Sequence, residues 1–83
     1  MNNYLVVFRS RNETIKFVNI LNSYGFSVVA VTTPRQISVS CGISAKIELR
    51  ALEIAKQIIN RRQFYTFGGI YYFANNQYVR VKL

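Results

Sequence analysis

Apolar residues fall in short runs separated by polar punctuation, and the period of each run predicts its element. Tyr4 to Phe8 is an apolar run rich in β-formers, which predicts a buried strand. Ser10 followed three residues later by Glu13 has the spacing of a capping box, in which each side chain satisfies the other's backbone N–H. Ile15, Phe17, Val18, Ile20, Leu21 and Tyr24 then recur at helical spacing up to Gly25, a residue suited to the left-handed turn that ends helices, so a helix is predicted over 11–24. The stretch 26–31 (FSVVAV) is apolar at successive positions and predicts a strand interior to a sheet. Pro34 and Gly42 bound an extended connection, with room for a little strand at 37–39.

Between 43 and 49 apolar residues alternate strictly with Ser44, Lys46 and Glu48, which predicts a strand over 43–48. From Ala51 the apolar positions switch to 52, 54, 55, 58 and 59, a helical period, so a helix is predicted over 49–61 although no good N-cap residue precedes it. Residues 63–73 are rich in strand formers, with Gly68-Gly69 marking a bulge or a turn. The tetrapeptide 74–77 (ANNQ) predicts a hairpin turn into a last strand at 78–83, with Arg80 and Lys82 on one face. The resulting order is β-α-β-β-α-β plus a strand. That predicts an α+β fold, a ferredoxin-like βαββαβ two-layer sandwich with an extra C-terminal strand, in one domain over 1–83. Two helices cover one face of such a sheet and cannot cover all of Tyr4, Phe64, Tyr65, Phe67, Tyr71, Tyr72, Phe73 and Tyr78. The surplus predicts an exposed aromatic face or a homodimer interface, and a homodimer is expected.

Charge adds a constraint on partners. Eleven Lys and Arg against three acidic residues give a formal charge of +8, which favours anionic partners. There is no His and no Asp, so Cys-His and Ser-His-Asp arrangements are excluded within one chain and self-contained catalysis is not expected. One Cys, no His and three scattered Glu do not make a metal site, and neither a metal nor a cofactor is predicted. No apolar run approaches the length of a membrane span, no signal peptide is visible, and a lone thiol suits a reducing compartment; the expectation is a cytoplasmic protein.

The single cysteine, Cys41, sits among Ser38, Ser40, Gly42 and Ser44. In the predicted topology its loop lies at the same end of the sheet as the start of the first helix. Arg9, Ser10 and Arg11 are at that start, and Arg35 is in the cysteine's own loop. A thiol beside a helix N-terminus and arginines is shifted toward thiolate, and Gly42 would let the backbone fold closely behind the sulfur. The alternative is a small inert residue filling the core, with the serines as ordinary turn formers.

The segment 34–44 (PRQISVSCGIS) resembles the signature of the putative selenium/sulfur carrier protein-like family. The matching positions are Pro34, Ile37, Ser38, Ser40, Cys41, Gly42 and Ile43, while Phe8 and Ser10 fit the family's opening strand and helix start. Val39 stands where the family often has Ser, and the basic excess and the 78–83 tail (YVRVKL) are not family hallmarks. The resemblance implies a carrier in which Cys41 accepts sulfur or selenium as a persulfide or selenopersulfide from a donor protein and passes it to an acceptor. Arg9, Ser10, Arg11, Arg35, Ser38, Ser40 and Gly42 would surround the anion. A second reading is a nucleic-acid or anion binding module using Tyr65, Phe67, Tyr71, Tyr72, Arg80 and Lys82, although residues 64–73 lack the basic-Gly-aromatic order of RNA-binding sheets. A third is a structural or regulatory interaction domain in which Cys41 is incidental.

Overall fold

Hydrogen-bonded ends decide where the elements begin and stop. A computed structural model describes residues 3–37, 42–61 and 64–82. Strand β1 is Asn3–Phe8 and helix α1 is Arg11–Ser23. Ser10 is the N-cap, its Oγ accepting from the Glu13 N–H at 3.3 Å. At the other end Gly25 takes φ +93°, its N–H donates to the Asn22 carbonyl, and the Phe26 N–H reaches back to the Leu21 carbonyl. Those two bonds form a Schellman motif, with Gly25 as its left-handed residue.

Strand β2 is Val29–Thr32, shorter than expected from its apolar run and displaced. It is an edge strand, not an interior one, and Val29 is 55% exposed. The reason lies before the strand. The Asn22 side chain accepts from the Val28 N–H at 2.9 Å and donates to the Val28 carbonyl at 3.2 Å, serving that residue as a strand would. Val28 is buried and Phe26 packs against the core from this irregular stretch, so the apolar run reflects a core-facing connection followed by an edge.

Strand β3, Ile43–Glu48, matches the alternating pattern residue for residue. The missing cap after it has a visible result: Glu48 makes no side-chain capping bond, and the chain enters helix α2 (Leu52–Arg61) through a 3₁₀ turn over Leu49–Ala51. Strand β4 is Phe67–Ala74. Its pairing with β1 skips a residue between Val7↔Gly69 and Phe8↔Phe67, so the Gly-Gly pair forms a bulge at Gly68 and not a turn. Asn75 and Asn76 both have positive φ, +53° and +64°, the geometry of a two-residue type I′ hairpin leading to β5, Gln77–Arg80. The last strand is shorter than its alternating sequence, although the Val81 N–H still bonds the Ile70 carbonyl at 2.7 Å.

All strand pairs are antiparallel and the sheet order is β2-β3-β1-β4-β5. Both helices lie on one face. Val6, Phe8, Ala45, Ile47 and Ile70 from the sheet meet Phe17 and Leu21 of α1 and Leu52, Ala55 and Ile58 of α2. At the centre of this layer Phe8 stacks at a tilt with Phe17, Phe64 and Phe67, at centroid separations of 5.2, 5.0 and 5.8 Å. Among the described residues no helix is long and apolar enough to cross a membrane.

Phe17 is fully buried and touches two of these rings. Phe17→Ala is expected to cost about 3–5 kcal/mol. A chain of this length has roughly 4–12 kcal/mol in total, so the variant's urea midpoint should fall steeply. An unchanged midpoint would mean that the aromatic cluster is not the core.

Candidate functional site

Two regions bring chemistry-bearing residues together: the end of the sheet where α1 begins, and the sheet face that the helices leave open. The first is built around a carboxylate. Glu13, in the first turn of α1, accepts from the Tyr65 N–H and the Thr66 N–H at 2.9 Å each and from the Thr66 hydroxyl at 2.6 Å. Thr66 Oγ1 in turn accepts from the Ser10 N–H at 3.1 Å, and the Thr66 carbonyl accepts from the Arg9 N–H at 2.8 Å. The expected capping box therefore closes on only one side. Ser10 caps Glu13, but the return bond to the Ser10 N–H comes from a hydroxyl 56 positions along the chain. Phe64 and Tyr65 fall outside β4 because the Tyr65 and Thr66 N–H groups serve Glu13 instead of a strand partner.

Burial opposes ionisation of Glu13. The Thr66 hydroxyl, the Thr66 and Tyr65 N–H groups and the nearby Lys16 ammonium outweigh it and hold the carboxyl below its ordinary value of 4.5. Glu13 also places a negative charge on the N-terminal end of α1, where the helix dipole and unpaired N–H groups favour an anion.

The loop after β2 leaves the sheet at this same end. The Thr33 N–H donates to the Gly42 carbonyl at 3.0 Å, and the Thr33 and Ser44 hydroxyls, both buried, share a hydrogen bond at 2.5 Å. These contacts close the base of the segment 34–41. Pairing of Val6 with Ala45 puts the start of β3 beside the end of β1, so the loop base, Arg9, Ser10 and Arg11 belong to one end of the molecule. Arg9, Arg11 and Arg35 are exposed, and Ser10 is half-buried in its capping role. Cys41, Ser38 and Ser40 lie outside the described residues, as does most of the strand expected at 37–39; Ile37 itself is in a turn. Gly42 does not take a positive φ in the range that favours glycine, and no described atom lies within 4 Å of where its Cβ would be; the sulfur it was expected to pack behind lies outside the described residues.

The second region is the open face. Residues 44, 46 and 48 of β3 point there, opposite the buried Ala45 and Ile47. The register sets Val29, Lys46, Leu5, Tyr71 and Arg80 side by side across the five strands. Of the residues expected to form an aromatic nucleic-acid surface, Tyr71 and Arg80 are in this row. Phe67 packs against the core and Tyr72 pairs with Tyr4 at 5.9 Å on the helix side. Tyr65 is 76% exposed in the turn at the Glu13 end, and Lys82 follows β5. Thr66 and Lys46 carry weight that sequence reasoning did not give them, whereas Phe73 and Tyr78 belonged to the aromatic surplus but not to the residues expected to contact nucleic acid. For Lys46 the signal was present, since the period of two in β3 already placed it opposite the core. For Thr66 there was none.

Because the folded pKa of Glu13 lies below its unfolded value, its contribution is complete above about 4.5 and is lost as pH falls through the folded value. Glu13→Gln is expected to destabilise by about 2 kcal/mol near neutrality, with the gap to wild type closing in acid. Urea titrations from neutral pH downward read this directly. Parallel curves would show that the carboxylate contributes nothing as an ion.

No curated protein and no solved structure matches this chain. A family model described as "Putative Se/S carrier protein-like" matches residues 3–71, a span that runs from β1 into β4 and includes Cys41. The chain belongs to that family.

Proposed function

We propose that the protein is a sulfur or selenium carrier in which Cys41 is the carrying atom. The observation that supports this most is the family match, which runs through the whole segment 34–44. The geometry adds a second support. The base of the Cys41 loop is tied down by Thr33, Gly42 and Ser44 at the end of the sheet that also presents Arg9 and Arg11, while Arg35 is exposed within the loop. The strand order β2-β3-β1-β4-β5 supports reading the architecture as ferredoxin-like with one added strand.

In the transfer step the Cys41 thiolate attacks the outer sulfur of a donor persulfide. A new S–S bond forms at Cys41, the donor's own S–S bond breaks, and its electron pair leaves on the donor thiolate. No external oxidant or reductant enters, and a second thiolate on the acceptor repeats the exchange. A selenopersulfide donor passes selenium by the same displacement. Thiolate is the reactive form, so positive charge around the loop promotes the step. The positive end of α1 is already answered by Glu13, so the arginine side chains supply that charge in this reading.

Incubation with glutathione persulfide should add the mass of one sulfur atom to the intact protein, removable by a thiol. The Cys41→Ser variant should gain nothing. An unmodified wild type under conditions that modify free cysteine would overturn the proposal.

A further inference from the structure

The open face of the sheet has a composition unlike the rest of the molecule. Lys46 and Arg80, both exposed, stand on β3 and β5 with Leu5 and Tyr71 between them in one cross-strand row. The row crosses three strand spacings, about 14 Å between the two cationic residues. Leu5, Val31, Lys46, Tyr71, Phe73 and Tyr78 line a pocket of about 270 Å³ on this face. Phe73 is 56% exposed and meets Tyr78 edge-on at 5.0 Å.

Arg80 is seated rather than loose. Its guanidinium lies 5.9 Å from the centre of the Tyr71 ring, over Gly69. A Cβ on Gly69 would come within 3.0 Å of Arg80 Cζ and 3.1 Å of Tyr71 Cε1, and Gly69 has φ +134°, a backbone that L side chains rarely adopt. The glycine therefore makes the space in which Arg80 and Tyr71 lie together. Each carboxylate side chain of the protein is engaged: Glu13 with Tyr65 and Thr66, Glu48 with Arg50 at 3.1 Å, and Glu53 with Lys56 at 3.7 Å. Among the described residues neither Lys46 nor Arg80 has an ion-pair partner.

We propose that this face binds single-stranded nucleic acid, with bases stacked on Phe73, Tyr78 and Tyr71 and phosphates against Lys46 and Arg80. Exposed rings interleaved with cations are the means by which sheet surfaces hold single strands. Placement of Lys46 and Arg80 on β3 and β5, with Leu5 and Tyr71 between them, suits successive phosphates of a strand laid across the sheet. Charge argues against a second copy of the chain, because a two-fold contact through this face sets lysine and arginine against like charges in a protein of net charge +8. An acidic peptide would satisfy the cations but offers no planar base to the rings.

The test is fluorescence anisotropy of a short fluorescein-labelled oligouridylate over a salt series, with circular dichroism to establish that each variant is folded. Wild type should bind at low salt. Lys46→Gln and Arg80→Gln should each weaken binding several-fold and reduce the log–log salt slope by about 0.7. Phe73→Ala should weaken it roughly tenfold and leave the slope alone. Arg61→Gln, the same charge change on α2, should stay within about twofold of wild type. Absence of binding, an Arg61→Gln loss equal to that of Lys46→Gln, or indifference to Phe73→Ala would overturn the proposal. So would a dimer in sedimentation velocity that Phe73→Ala dissociates, which would assign the face to a second copy. Cys41→Ser should bind as wild type, so this site and the carrier reading stand or fall separately.

Discussion

The carboxylate of Glu13 is the tie on which the arrangement of this small protein turns. It joins the first turn of α1 to the chain entering β4, over a separation of 52 positions, using two backbone N–H groups and one hydroxyl. Thr66 completes the tie by taking the Ser10 N–H that a reciprocal capping box would leave to Glu13 itself. A short-range capping signal has thus become a long-range one. The cost of ordering the chain is large for a domain of this size, and a charge-assisted contact between distant segments offsets part of it without enlarging the core. The same contact holds the chain just before β4, one residue ahead of Phe67 and two ahead of the bulge at Gly68.

That tie also governs the electrostatics of the end where the Cys41 loop begins. A helix N-terminus left open would favour any nearby thiolate. Here it already holds an ionised carboxylate, kept ionised by its hydrogen bonds. Positive potential for a sulfur anion at this end therefore depends on Arg9, Arg11 and Arg35, which are exposed and screened by salt. On the other side of the sheet Lys46 and Arg80 have no ion-pair partner among the described residues, and Glu48 on that face is paired with Arg50. The two faces differ in make-up: one is closed by helices over an aromatic core, and the other presents Tyr71, Phe73 and Tyr78 with Lys46 and Arg80.

Much of this was legible in the sequence, and the parts that were not have physical causes. Strand β3 was readable because a strict period of two has no helical equivalent, and the end of α1 because Gly25 does the work of a Schellman turn. The helix 49–61 was readable in extent, and its poor cap surfaced as a 3₁₀ turn. Strand β2 misled because hydrophobicity reports burial, not pairing: Phe26 and Val28 are drawn into the core while Asn22 satisfies the Val28 backbone, so no ladder forms there. The aromatic residues misled because a run such as 64–73 conceals its bulge; one extra residue at Gly68 decides which rings face the helices. Cys41 and its serines were visible as a candidate from their residue types and the family resemblance, and the family assignment now rests on a match over 3–71. The partner of Glu13 was invisible, since nothing local in the sequence distinguishes Thr66.

The proposed carrier role requires Cys41 to be a reachable thiolate. The most direct measurement is its rate of alkylation against pH, in the native protein and in denaturant. A carrier cysteine should label rapidly in the native protein, with an apparent pKa below the ordinary thiol value of about 8.5. Protection in the native state that only denaturant relieves would make Cys41 a core residue and contradict it.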